Sequence, residues 1–132
     1  MALEGKRHLE AVDRILAIAQ ERRKAEKLIH TSPIALRFVA PSPAYASMMH
    51  GGATMMIELI MVDGSRRGYE LLAGYEERLA DLAARPHWGQ YNTLTPDRVR
   101  ALYPRWDDWL AAERELNASG VFDSPFTARV GI

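Results

Sequence analysis

The spacing of hydrophobic residues changes along the chain, and the changes mark out its elements. Over residues 6–29, Leu9, Val12, Ile15, Leu16 and Ala19 recur every three or four positions with charged residues between them, which predicts an amphipathic helix. Its charged end, Glu21 to Lys27, reads as a solvated face. Thr31, Ser32 and Pro33 break the pattern. From Ile34 to Ala40 the period becomes two, with Ile34, Leu36 and Phe38 on one face and Ala35, Arg37 and Val39 on the other, so a strand is expected. Residues 41–52 form a connection too long for a hairpin, with two prolines and the Gly51-Gly52 pair, and are a candidate functional loop. Residues 54–62 give the strongest strand signal, interrupted by the charge of Glu58, and Asp63-Gly64-Ser65 is a turn.

Helical spacing returns over 69–84, with Leu72, Tyr75, Leu79 and Leu82 on one stripe. The segment Arg85-Pro86-His87-Trp88-Gly89-Gln90 follows. Thr95-Pro96 has the form of a helix start and leads to a short helix ending near Tyr103-Pro104. Trp106, Trp109, Leu110 and Glu113 mark another, ending around 117–120, and the tail 121–132 reads as extended. The order suggests a single α+β domain, a small antiparallel sheet with helices on one face. Strands 33–40 and 54–62 are expected to pair antiparallel, with helices 6–29 and 69–84 on the same side. Two strands make a poor sheet, so others are expected from the loops, another segment or another chain.

Composition narrows the function classes. The 132 residues are 48% hydrophobic, enough for a core, and 17 basic side chains balance 17 acidic ones. That balance gives no electrostatic case for nucleic acid or an acidic membrane. No apolar run is long enough to span a bilayer, and the first ten residues lack the apolar stretch of a secretory signal. The absence of cysteine removes disulfides and thiolate chemistry and fits a cytoplasmic location. The four histidines (His8, His30, His50 and His87) are scattered, so no metal site is expected.

Arg37 and Glu58 are the charged residues of apolar strands, and burial of either alone costs several kcal/mol. They read either as a mutual or solvent-facing ion pair or as the floor of a pocket, and a paired arginine still has donors for a ligand. His87 reads as a hydrogen-bonded structural histidine or as a general base. Gln90 can orient a ligand but not exchange a proton. The methionines Met48, Met49, Met55, Met56 and Met61 read as adaptable packing.

The stretch ARPHWGQ, followed by ALYPRWDDWLAAERELNASGVFDSPF, resembles the C-terminal end of the FAD-linked sugar-lactone and alditol oxidases. These are the D-arabinono-1,4-lactone, L-gulonolactone and alditol oxidase relatives among the vanillyl-alcohol-oxidase-type flavoproteins. Pro86, His87, Trp88, Gly89, Tyr103, Pro104, Leu116, Gly120 and Phe122 carry the match, which runs upstream through IALRFV and MMIELIM to about residue 31. The resemblance implies a substrate-binding cap whose sheet covers a flavin. The FAD itself is held mainly by a separate domain of about 150–200 residues that this chain lacks.

The resemblance also implies site roles. His87 lies near the flavin, Gln90 stands where the family has a lysine, and Arg37 is kept from a Glu-x-Arg pair of which Ala35 replaces the carboxylate. Glu58 faces substrate. Arg37 and Glu58 are thus the catalytic candidates, with Gln90 as a third substrate contact and His87 as the cofactor contact. The implied reaction is hydride transfer from a CH–OH carbon of a lactone, an alditol or a less hydroxylated, sterol-like alcohol. The implied partner is a flavin-binding domain or subunit, and a homodimer through the open sheet face is expected where none is supplied. The alternative is a non-catalytic binding module that keeps the cap fold.

Overall fold

A computed structural model describes residues 1–5 and 7–132. Strand β1 (Ala2–Glu4) precedes helix α1 (His8–Glu26), strands β2 (Ala35–Val39) and β3 (Thr54–Glu58), and helix α2 (Gly68–Arg78), which runs into a 3-10 turn at Ala80–Leu82. Helices α3 (Pro96–Leu102), α4 (Trp106–Leu116) and α5 (Pro125–Val130) complete the chain. The sheet has the order β1-β3-β2 and is antiparallel throughout. This is the α+β architecture expected, and the third strand comes from the N-terminal residues, where sequence reading had none.

Register fixes the two faces of the sheet. Leu36 pairs with Ile57, Phe38 with Met55 and Leu3 with Met55, so these side chains share one face. On that face Leu3, Met55 and Ile57 are buried with Ala11, Ile15 and Ile18 of α1 and Leu71 and Tyr75 of α2. Both helices therefore lie on one side. Arg14 of α1 reaches across to Asp81 at 2.6 Å. The buried stripe of α1 differs from the one read in the sequence: Leu9 is 80% exposed and Leu16 also faces solvent. Ala11 takes a fully buried position in the core instead. Phe38 points to the helix side as its parity requires, but it lies on an edge strand and stays 76% exposed, against His8.

Two further expectations are corrected. Strand β3 ends at Glu58, four residues before 62, because among the described residues no strand pairs with residues 59–62. The tail is not extended. Ser124 caps α5 through a reciprocal capping box with Thr127, Pro125 takes the first turn and Gly131 ends the helix in the left-handed region. Val130 of α5 is buried in a second hydrophobic cluster with Leu94, Val99, Leu102, Tyr103, Trp106 and Leu110.

Candidate functional site

The other face of the sheet carries Arg37, Met56 and Glu58, since Arg37 pairs with Met56 and Ala35 with Glu58. Arg37 Nε lies 3.0 Å from Glu58 Oε1, and its second guanidinium nitrogen donates to Oε2 at 3.2 Å. Both carboxylate oxygens are thus held in a forked, charge-assisted arrangement. At the other end of this face, Glu4 meets Gly51 and Gly52 of the long loop and lies 3.6 Å from Arg85.

The segment after α2 places neighbouring side chains in different surroundings. Arg85 bridges to Ala2 by two backbone hydrogen bonds and so continues the sheet beyond β1. Its side chain turns inward. Trp88 donates from Nε1 to the Ala46 carbonyl at 2.9 Å and stacks near Trp106 in the second cluster. His87 faces a cleft. The Gly89 N–H donates to His87 Nδ1 at 3.1 Å, which places the proton of the neutral ring on Nε2 as a free donor.

That cleft, about 680 Å³, is lined by Met56, Glu58, Leu72, Glu76, His87 and Gln90 among others. Of the residues singled out in the sequence, Glu58, His87 and Gln90 share it, while Arg37 stands at its margin and joins it through Glu58. Asn92, which sequence reading missed, secures the loop. Its amide donates to the carbonyls of Gln90 at 2.9 Å and His87 at 3.3 Å, and its oxygen accepts from Arg129. Tyr69 and Tyr91, also missed, line the cleft with ring centroids 5.0 Å apart. An Asn two residues past a Gly-Gln turn was the one available signal. Among the described residues, no group of three or more His, Asp or Glu is arranged to hold a metal ion, and no helix is long and apolar enough to cross a membrane.

A small antiparallel sheet, shielded by helices on one face and bearing a charged pair beside a cleft on the other, defines an α+β layer. The family model for D-arabinono-1,4-lactone oxidase matches residues 2–130. The chain belongs to that family of FAD-linked sugar-lactone and alditol oxidoreductases. It is 32% identical over 121 residues to the L-gulono-1,4-lactone dehydrogenase of Mycobacterium tuberculosis, covering 92% of this chain and 27% of that protein. It is 33% identical over 118 residues to the alditol oxidase of a Streptomyces species, covering 89% and 26% respectively. A long-chain alcohol oxidase of an uncultured marine euryarchaeote is 31% identical over 108 residues, covering 77% and 22%. The chain thus spans about a quarter of the length of these relatives. The family match starts at residue 2, so β1 and α1 fall within it, well before the residue-31 limit of the motif resemblance.

Proposed function

We propose that this chain supplies the substrate side of an FAD-linked oxidoreductase acting on a CH–OH group, working against a flavin-binding domain or subunit. One observation carries the reading: Glu58, His87 and Gln90 line one cleft beside an open sheet face, with Arg37 locked onto Glu58. The lining suits one end of the cofactor. Among the described residues it holds Glu58, Asp63 and Glu76 against one cation, the Met1 ammonium, and no lysine or arginine, a negative balance that disfavours a diphosphate. The Met56 surface, with the Arg37–Glu58 pair beside it and His87 and Gln90 in the same cleft, suits a flat ring with polar edges. Bound there, FAD supplies the hydride acceptor.

The chain's own residues then position and polarise. Glu58 accepts the substrate hydroxyl and takes its proton. Arg37 holds the Glu58 carboxylate in place and faces the negative charge that develops on the substrate oxygen. His87 donates from Nε2 to the ring edge, and Gln90 orients the substrate.

The test is a graft of this chain onto the flavin-side remainder of the Streptomyces alditol oxidase, with an absorption spectrum for bound flavin and anaerobic flavin reduction by alcohols. Bound flavin that Glu58→Gln reduces about 10²-fold more slowly supports the assignment. Bound flavin that no alcohol or lactone reduces favours a non-catalytic binding module.

A further inference from the structure

His87, Gly89 and Gln90 are all exposed, so packing does not hold the turn that carries two of the cleft's polar groups. Its position has to come from hydrogen bonds. The turn closes on itself where the Gln90 N–H donates to the His87 carbonyl at 3.2 Å. Among the described residues, one side chain reaches both of its ends. The Asn92 amide donates to the Gln90 carbonyl at 2.9 Å and to the His87 carbonyl at 3.3 Å.

Asn92 is 7% exposed, and its oxygen is engaged as fully as its nitrogen. Oδ1 accepts from the Leu94 N–H at 3.3 Å and from Arg129 at 3.1 Å. Donors on one side and carbonyls on the other leave a single orientation of the amide. Arg129 belongs to α5. Its other terminal nitrogen donates to the Leu94 carbonyl at 2.6 Å, and its guanidinium lies 5.3 Å from the centre of the Phe126 ring. On the opposite side the Thr93 N–H donates to Glu76 of α2 at 2.9 Å. Segment 92–94 is thus tied to both helices, and Asn92 carries that anchorage to the turn. The His87 ring follows the turn in its own right, because Gly89 within the turn donates to Nδ1.

We propose that Asn92 and Arg129 are positioning residues for the cleft. Arg129 orients the Asn92 amide, and Asn92 sets the turn so that the His87 Nε2–H and the Gln90 amide are presented together. This rests on the substrate-side reading for what those two groups do, and it places part of the control of the site in the C-terminal helix.

Nitrogen NMR of the full chain, without flavin, tests it. The native His87 ring is expected as the single Nε2–H tautomer, with a slowly exchanging Gly89 amide. Asn92→Asp keeps the contacts of the oxygen and removes both donations to the turn. It is expected to mix the His87 tautomers and to speed Gly89 exchange about tenfold. Arg129→Met is expected to act in the same direction by about threefold, and Arg129→Lys to restore part of that. The Trp88 Nε1–H signal, which depends on the bond to the Ala46 carbonyl, reports whether the second cluster is intact. Native His87 and Gly89 signals in Asn92→Asp overturn the proposal. If Asn92→Asp fails to fold, Arg129→Met decides: with the Trp88 signal native, an unchanged His87 tautomer and Gly89 exchange rate overturn it. Loss of the Trp88 signal in Arg129→Met also overturns it, since Arg129 would then serve the fold at large. These signals do not depend on the Glu58 dependence of flavin reduction in the graft, so the proposal and the substrate-side reading fail separately.

Discussion

At the scale of single residues, the Arg37–Glu58 pair separates a structural role from a functional one. The Arg37 side chain is 68% exposed, and an ion pair so open to water contributes about 1 kcal/mol or less to stability. Arg37→Ala is therefore expected to leave the urea midpoint of the chain nearly unchanged while slowing flavin reduction in the graft by tenfold or more, on the order of one lost charge-assisted contact. Slow reduction with a matching loss of stability would return the pair to a structural role. Both residues were legible because a charge within an alternating apolar strand is conspicuous, and parity assigns the face. His30 was not legible. It lies beside Tyr75 with ring centroids 5.8 Å apart, and neither ring nitrogen has a hydrogen-bond partner among the described residues. Burial holds its pKa below the ordinary 6.5. The unfolded chain then binds the proton first, so stability is full above about pH 6.5 and falls as the pH drops from there to the folded-state value. The carboxylates held low by arginine partners, such as Glu10, act only below their ordinary 4.5, so the interval above that belongs to His30 together with the Met1 amino group, which burial holds below its ordinary 8.0. Denaturation at pH 7.5 and 5.5 is expected to show a loss in the native chain that His30→Phe makes smaller, the remainder belonging to the Met1 amino group.

At the scale of elements, periodicity located α1, β2, β3, α2, α3 and α4, because each is long enough to repeat or begins with a recognisable cap. It failed where size and pattern compete. In α1 the large leucines Leu9 and Leu16 dominate the apparent stripe, yet the sheet accepts Ala11, Ile15 and Ile18, which follow the same three-and-four spacing on a neighbouring face. Strand β1 has three residues, too few for any period, and is a strand only because β3 pairs with it. Helix α5 has six residues and depends on its ends. Ser124 accepts from the Thr127 N–H at 3.1 Å, and Ser124 N–H donates back to the Thr127 hydroxyl at 2.7 Å. Ser124→Ala is expected to cost about 1 kcal/mol by urea denaturation, since the helix that delivers Val130 to the second cluster loses its cap. A change within error would mean that Val130 and Phe126 hold α5 by packing alone.

At the scale of the whole molecule, the chain has two hydrophobic clusters, one under the sheet and one among α3, α4 and α5, and Arg85 sits where they meet. Its side chain is only 11% exposed. Nε donates to the Leu102 carbonyl at 3.0 Å, and one terminal nitrogen donates to the Met48 and His50 carbonyls at 3.1 and 2.7 Å. The guanidinium also lies 5.5 Å from the centre of the Tyr103 ring, and burial there pushes the Tyr103 hydroxyl well above its ordinary pKa. One residue thus ties the end of α3, the long 41–52 loop and the sheet edge together, two positions before His87. Sequence reading took that loop as a candidate functional loop; its contacts show Arg85 holding it down at Met48 and His50. Arg85→Met keeps the length of the side chain but strands three carbonyls, and is expected to cost about 3 kcal/mol in urea denaturation. Arg85→Lys is expected to recover less than half of that, because one ammonium cannot reproduce the fork that reaches carbonyls on both sides. If lysine restored full stability, charge at the junction would suffice and the geometric link between the 41–52 loop, α3 and the His87 loop would fall. If methionine were also tolerated, the two clusters would be joined by packing alone, and His87 would owe its place in the cleft to Asn92.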